Sequence, residues 1–257
     1  MRQAGFLTAL VLVILGTTMG CTAPQAARPP VNIEPRAQEA LIKMSESLAK
    51  APSLNFRART TMDEWASPDR MVQVQRDSRI HFVRPDRVLI ETRKGKDTWT
   101  MWHSGSSLTV MDKTEKQYAC TSSPKDVQAL FDELADKYGA VVPLAELLFP
   151  DPYKAMAEEI QQGVYLGEHD LAGVPCIHLL FVQENVDWQI WIAKDAPGTP
   201  RKIVIDYKQM PGRPRFTAVL SDWKFTAPAD ENIFQFCPPK DAKKVEMPAL
   251  FAAERGE

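Results

Sequence analysis

Residues 82–112 decide the fold and read FVRPDRVLIETRKGKDTWTMWHSGSSLTVMD. Within this stretch, apolar and polar residues alternate in short runs, as they do in strands that bury one face. Lys94-Gly95-Lys96-Asp97 and Ser104-Gly105-Ser106 separate the runs, and short connections that contain Gly are typical of β-hairpins. Because consecutive strands joined so closely pair antiparallel, the stretch predicts an antiparallel meander.

The strand pattern continues on both sides of this meander, in one series before the middle of the chain and one after it. The further strands are expected at residues 54–65, 71–83, 117–121, 164–171, 176–183, 187–193, 201–209 and 216–225, with a last short strand at 234–237. Most of the chain is therefore predicted to form one large sheet.

Helices are predicted before the first strand series and between the two series. Residues 35–50 carry a single apolar stripe, which is formed by Ala37, Ala40, Leu41, Met44 and Leu48. Ser123-Pro124 has the composition of a helix start, and short helices are expected at residues 143–148 and after Asp151-Pro152. Strands and helices do not alternate along the chain, which excludes a parallel α/β sheet.

These elements predict an α+β fold in a single domain, residues 33–245. A large curved antiparallel sheet of this many strands tends to curl. With helices packed on its concave face, it would form an incomplete barrel around an apolar cavity. Residues 246–257 are predicted to be a flexible, charged tail.

The N-terminal segment predicts export. Arg2 precedes the apolar run Phe6–Leu15, which has the length of a signal-peptide core and is too short to span a bilayer. Residues 1–20 are therefore predicted to be a signal peptide. Residues 21–32 are rich in Pro and Ala and predict an extended tether.

Gly20-Cys21 directly follows the apolar run and resembles the lipobox of bacterial lipoproteins, although Thr18 stands where that motif prefers Leu. The resemblance implies a lipid anchor, including palmitate-type acyl chains, on Cys21. Because the next residue is Thr22 and not Asp, the sorting rule of such lipoproteins implies the outer membrane, facing the periplasm. The alternative is an ordinary signal cleaved near Ala26, which would leave a soluble periplasmic protein.

The composition limits the partners. The 31 Lys and Arg residues against 33 Asp and Glu give a net charge of −2, which excludes the basic footprint of a nucleic-acid-binding protein. A hydrophobic content of 44% is that of a folded protein rather than a disordered chain. No phosphate loop, dinucleotide fingerprint or Gly-x-Ser-x-Gly elbow is present, so we expect no cofactor.

Several motifs carry a family resemblance when they are taken in order. They are Phe82-Val83-Arg84-Pro85-Asp86-Arg87, Pro143-Leu144-Ala145-Glu146-Leu147-Leu148, Asp151-Pro152-Tyr153, Tyr165-Leu166-Gly167, Gly173-Val174-Pro175-Cys176-Ile177-His178, Asp187-Trp188-Gln189-Ile190-Trp191-Ile192, Pro200-Arg201-Lys202 and Phe234-Gln235-Phe236. Over residues 33–245 they resemble bacterial periplasmic proteins catalogued as domain of unknown function 2092. The Arg-Pro turn is also similar to that of lipoprotein carriers of the LolA and LolB type. The resemblance implies a LolA-like half-barrel with a helical lid, and it implies no catalytic residues.

The cysteines and histidines offer few candidates for chemistry. Cys176 and His178 share one face of a strand and could form a thiolate–imidazole pair, but nothing nearby completes a catalytic or metal site. The other three histidines lack metal-ligand spacing. In an oxidising compartment, a disulfide between Cys120 and Cys176 would join the two halves of the sheet; the alternatives are a bond to Cys237 or three free thiols.

The large apolar residues on two strands allow two interpretations. Trp99 and Met101 share one strand face, and Trp188, Ile190 and Ile192 share another. They form either a packed core or the lining of a cavity for an apolar ligand. The leading hypothesis is a non-enzymatic cell-envelope protein that binds a lipid or acyl chain. The alternative is a lipid-anchored structural module that contacts another envelope protein and has no ligand cavity.

Overall fold

One continuous sheet of thirteen strands dominates the fold in the computed structural model, which describes residues 31–228 and 230–255. The strands are β1 (Asn32–Ile33), β2 (Ser53–Ser67), β3 (Arg70–Val83), β4 (Arg87–Lys94), β5 (Asp97–Ser104), β6 (Ser107–Asp112), β7 (Gln117–Ser122), β8 (Gln162–Leu171), β9 (Val174–Val182), β10 (Val186–Ala193), β11 (Pro200–Tyr207), β12 (Arg215–Lys224) and β13 (Lys243–Lys244). Their order across the sheet is β1-β8-β9-β10-β11-β12-β2-β3-β4-β5-β6-β7-β13.

The sheet consists of two antiparallel meanders that share a central seam. Strands β2 to β7 form one meander and β8 to β12 the other, and β12 pairs antiparallel with β2 where they meet. The two outermost strands, β1 and β13, are two residues long and pair parallel with β8 and β7. Within the described residues, these two edges do not pair with each other, so the barrel is incomplete, as predicted.

Four α-helices and two 3-10 helices accompany the sheet. They are α1 (Pro35–Lys50), α2 (Val127–Tyr138), a 3-10 helix at Ala145–Leu148, α3 (Pro152–Ala157), a 3-10 helix at Glu231–Phe234 and α4 (Met247–Arg255). The insertion between β7 and β8 contains α2, the first 3-10 helix and α3. Because β7 and β8 lie near opposite edges of the sheet, this insertion has to cross the concave face.

The core lies between the concave face and these helices. Leu54, Phe82 and Val88 occupy paired positions on three neighbouring strands, and each side chain is fully buried. From the helix side, Leu41 and Leu48 of the α1 stripe and Leu130 of α2 contribute to the same apolar cluster. The alternation that predicts the strands therefore also defines the face that the helices cover.

Helix α2 begins three residues later than the predicted start at Ser123-Pro124. Asp126 is its N-cap, and the Asp126 side chain accepts a hydrogen bond of 2.9 Å from the backbone N–H of Ala129. The Ser123 hydroxyl instead shares a hydrogen bond of 3.2 Å with Nδ1 of His103. Both Ser and Asp are good capping residues, so tertiary contacts decide between them.

The segment 234–237 is not a strand, contrary to the prediction. Phe234 ends a 3-10 helix and is buried against Val83 and Leu89, on the sheet face opposite the main core. Phe236 lies 5.0 Å, between ring centroids, from both Trp102 and Tyr118. The alternation of Phe residues therefore reflects a segment that packs on top of the sheet rather than at its edge.

The predicted flexible tail is also wrong for the described part of residues 246–257. Helix α4 occupies Met247–Arg255, and Met247, Leu250 and Phe251 are buried in the main core. The Phe251 ring stacks on Tyr138 of α2 with 5.4 Å between the centroids. The spacing of these three apolar residues, i, i+3 and i+4, is the signal for an amphipathic helix that the high charge of the segment obscured.

Candidate ligand groove beside helix α1

The five predicted cavity residues all belong to the concave face. Trp188, Ile190 and Ile192 lie together on β10, and Trp99 and Met101 lie on β5 in the other meander. All five are part of the main apolar cluster, in which Trp99 is half-buried and Ile190 fully buried. Four of the five side chains therefore fill the core, and only Ile192 also lines an open groove.

This groove lies between α1 and the connection from β10 to β11, and its volume is about 460 Å³. The groove is open to solvent, and it lies beside the helix rather than in the cavity that was predicted between the sheet and the helices, where the described side chains pack together. Met44 of α1, Ile177 of β9 and Ile192 of β10 supply apolar surface, and Ala40 and Pro197 line the walls. The groove is thus an apolar slot at the margin of the core.

Three lysines stand at the edge of the slot, and each is ion-paired. Lys43 and Lys50 pair with glutamates one turn earlier on α1, and Lys194 Nζ lies 2.6 Å from Glu168 of β8. All six side chains are substantially exposed, and pairs of this kind contribute about 0–1 kcal/mol each. An anionic group on a ligand could therefore exchange with these glutamates at little cost.

A second groove, of about 370 Å³, lies along α1 next to the segment Pro150–Tyr153. Ile42 and Ala49 of α1 line it, together with Ser45. The Ser45 hydroxyl is buried and has no hydrogen-bond partner among the described residues. Two grooves thus border α1, and the sequence analysis assigned this helix to packing alone.

Arg84 holds the covering helices to the sheet. Its guanidinium donates hydrogen bonds to the carbonyls of Leu48 (3.0 Å) and Ala51 (3.0 Å) at the end of α1. It also donates to Leu148 (3.1 Å) and Phe149 (3.4 Å) at the end of the first 3-10 helix. The Leu48 carbonyl also accepts a bond of 3.4 Å from the Ala51 N–H, but helix ends carry more carbonyls than backbone donors, and the positive charge of Arg84 complements the negative ends of the helix dipoles.

Among the described residues, no Asp or Glu side chain forms an ion pair with Arg84, whose hydrogen bonds all go to backbone carbonyls. Burial lowers the pKa of the guanidinium, which lies 5.0 Å from the centroid of the Phe82 ring. Sequence analysis placed Arg84 in a turn and missed this role. The only local signal is an arginine that directly follows the buried pair Phe82-Val83.

Replacing Arg84 with Met should destabilise the domain by about 2 kcal/mol, because half-buried helix-end carbonyls lose their donors. The matched control is Arg87→Met at the start of β4, where the arginine pairs with the exposed Glu231 and lies 5.6 Å from the centroid of the Phe234 ring, and the cost should stay below about 1 kcal/mol. Urea unfolding followed by circular dichroism measures both. Equal losses for the two variants would contradict the role assigned to Arg84.

His103 is a buried histidine at the interface between β5 and the start of α2. Its side chain is fully buried, and Nε2 has no hydrogen-bond partner among the described residues. Burial lowers the pKa of His103, and weaker contributions from the nearby backbone of Lys125 and Ser107 and from Asp86 oppose this shift. Burial also lowers the pKa values of His81 and His178.

These shifts predict that stability is lost in mild acid. The unfolded chain binds protons at the ordinary histidine pKa of about 6.5, whereas the folded state resists protonation until lower pH. The free energy of unfolding should therefore fall as the pH drops from 7.5 to 5. His103→Gln should reduce this pH dependence. Urea titrations at both pH values test this, and an unchanged slope in His103→Gln would refute it.

Cys176 and His178 are not arranged as a catalytic pair. The Cys176 thiol is buried and donates a hydrogen bond of 3.3 Å to the carbonyl of Val174. His178 Nε2 donates to Gln189 Oε1 over 3.0 Å, and its ring stacks on Trp191. Burial raises the pKa of the thiol, which is the opposite of what a reactive cysteine needs.

The predicted disulfide is also not formed. Cys120, Cys176 and Cys237 are all free. Cys120 lies on β7 and Cys176 on β9, and eight strands separate β7 from β9 in the sheet. No cluster of three His, Cys, Asp or Glu side chains that could hold a metal ion occurs in the described residues.

The comparisons with known proteins give the family. The model of the family described as "Predicted periplasmic protein (DUF2092)" matches residues 37–248, and the chain belongs to this family. No curated protein matches the chain. The N-terminal residues that carry the predicted signal peptide and Cys21 lie outside both this match and the described residues, and no helix of the described part is long and apolar enough to cross a bilayer.

Solved structures similar to the chain include three bacterial proteins. LppX, a lipoprotein of Mycobacterium tuberculosis, is 13% identical, with a TM-score of 0.47 over 77% of this chain and 100% of that one. LprF from Mycobacterium bovis is 13% identical, with a TM-score of 0.43 over 82% and 99%. A LolA superfamily protein from Nitrosomonas europaea is 12% identical, with a TM-score of 0.39 over 78% and 97%.

Proposed function

We propose that this protein of the bacterial periplasm is a non-enzymatic binding protein that holds the apolar chain of a lipid or fatty acid in the groove beside α1. The observation that carries the proposal is the open slot of about 460 Å³, with Met44, Ile177 and Ile192 on its apolar surface. An acyl chain that lies there removes its own surface from water and covers the half-buried Ile177, while Met44 and Ile192 form the buried floor of the slot. Each Å² of apolar surface buried in this way contributes about 25 cal/mol.

The charges at the edge of the slot support an amphiphilic ligand. Lys43, Lys50 and Lys194 line the slot together with Glu46 and Asp195, and the ion pairs of the three lysines are exposed and exchangeable. A carboxylate or phosphate at the end of an acyl chain would lie near these lysines while the chain follows the slot. Neutral hydrocarbon would lack this contribution, so fatty acids and phospholipids fit better than waxes or sterols.

The proposal predicts that filling the slot blocks binding. Ala40→Trp places a large side chain in the groove from the half-buried surface of α1, and it should weaken binding of a dansyl-labelled fatty acid at least about tenfold, or about 1.4 kcal/mol. Ala49→Trp is the matched control, because Ala49 is a half-buried alanine of the same helix that lines the second groove instead. Its effect should stay below about twofold.

The measurement is a fluorescence titration of each folded variant with the labelled fatty acid. Equal weakening by both substitutions would mean that the helix, rather than the slot, determines the affinity. If Ala49→Trp alone weakens binding, the site is the second groove. If wild-type protein binds no probe at all, the proposed function is wrong.

We further propose that Cys21 carries a lipid anchor, on the basis of its position directly after the apolar run. Mass spectrometry of the protein from bacterial membranes should then show an acylated N-terminal cysteine. Cys21→Ser should abolish this modification and shift the protein to the soluble periplasmic fraction. A wild-type protein that begins after Cys21 would contradict the proposal.

A further inference from the structure

The β2–β3 hairpin projects from one end of the sheet. Its pairing runs from Ser53↔Val83 to Ser67↔Arg70, but β4 pairs with β3 only from Asp77 onward. On the other side, β12 pairs with β2 no further than Met62. The residues beyond these points form a two-stranded ribbon that extends about 15–20 Å past its neighbours at about 3.3 Å per residue.

The tip of this ribbon exposes large apolar side chains on both faces. Trp65 is 40% exposed on one face and Val72 is 46% exposed on the other. The β11–β12 connection flanks the face that carries Trp65, because Gly212 approaches so closely that a Cβ added to it would lie 2.6 Å from Met71 Sδ and 2.7 Å from the Trp65 ring. One edge of the Trp65 ring therefore packs on this loop while the rest stays exposed, and Val72 is exposed on the opposite face.

The strand register places the start of the described chain at the same end of the sheet. A row of paired residues crosses the sheet from β1 to β2 at this end. From β1 to β12 the row consists of Asn32, Gln162, Val182, Asp187, Asp206 and Arg215, each paired with the next. The Arg215 N–H then donates a hydrogen bond of 3.0 Å to the Asp63 side chain of β2, at the base of the ribbon. Strand β1 is parallel to β8, which begins at this row. The chain therefore enters the domain from the end at which the hairpin projects, and Val31 is 68% exposed there.

The distances allow one surface to contact both features. Cys21 precedes Val31 by ten positions, which reach at most about 35 Å when fully extended. The row from β1 to β2 crosses six strand spacings of about 4.8 Å, or about 29 Å. A bilayer that holds an anchor at Cys21 is thus within reach of the hairpin tip.

We propose that the tip of the β2–β3 hairpin, with Trp65 and Val72, inserts into the interface of the bilayer and sets the orientation of the domain on the membrane. The proposal rests on the lipid anchor in the proposed function and adds a second contact to it. Trp prefers the membrane interface because one part of its ring is apolar and the N–H remains near water. At the tip, Arg70 and Asp69 form an exposed ion pair of 3.9 Å without net charge, so the pair itself offers no charge attraction to a bilayer.

The test uses the full chain reconstituted into vesicles of phosphatidylethanolamine and phosphatidylglycerol whose acyl chains carry bromine, which quenches nearby Trp fluorescence. Wild-type protein should be quenched, and Trp65→Phe should lose at least about half of that quenching. Val72→Asp should cause a similar loss. The matched control is Val219→Asp, because Val219 is 39% exposed but lies in the middle of β12, away from the tip.

Three results would overturn the proposal: no quenching of the wild type, no change in Trp65→Phe and Val72→Asp, or an equal loss in Val219→Asp. Binding of the dansyl-labelled fatty acid to the same variants separates this proposal from the proposed function. If Val72→Asp loses vesicle quenching but keeps probe affinity, the tip contacts the membrane independently of the ligand groove. If quenching is absent while mass spectrometry shows the acylated Cys21 and probe affinity is intact, only the membrane contact of the tip is wrong.

Discussion

The guanidinium of Arg84 connects three segments that are far apart in sequence: the end of β3, the end of α1 and the end of the first 3-10 helix. It follows the buried end of β3 and donates to carbonyls at the ends of both α1 and the 3-10 helix of the insertion. Each of these helices covers part of the concave face, and the backbone carbonyls at the end of each helix require hydrogen-bond donors from elsewhere. One side chain thus connects the ends of both helices to the end of β3.

The groove beside α1 and the core share side chains. Ile190 and Ile192 are neighbours on one face of β10 and both are buried, and Ile192 also forms part of the floor of the groove. Met44 of α1 has the same double position. A shift of α1 would therefore change the size of the groove and the packing of the core together.

Local features of the fold could be predicted from the sequence, and non-local ones could not. The Gly-containing turns at 95 and 105 and the alternation of 82–112 define hairpins because their partners are close in sequence. The pairing of β12 with β2, the four carbonyl partners of Arg84 and the groove beside α1 depend on segments that are far apart. The segment at 234–237 shows the ambiguity: alternating Phe residues fit an edge strand and equally fit a segment packed on a sheet.

The central seam has a consequence for how this protein is made. Arg215 of β12 contacts Asp63 of β2 across 152 positions of sequence, so the middle of the sheet cannot close until nearly the whole chain is available. Contacts of such long range slow folding, because a large loop must be ordered before they form. Until β12 is available during synthesis and export, the edge of β2 in the first meander remains unpaired. An unpaired strand edge is open to pairing with other chains, and it is the feature that a periplasmic chaperone would need to shield.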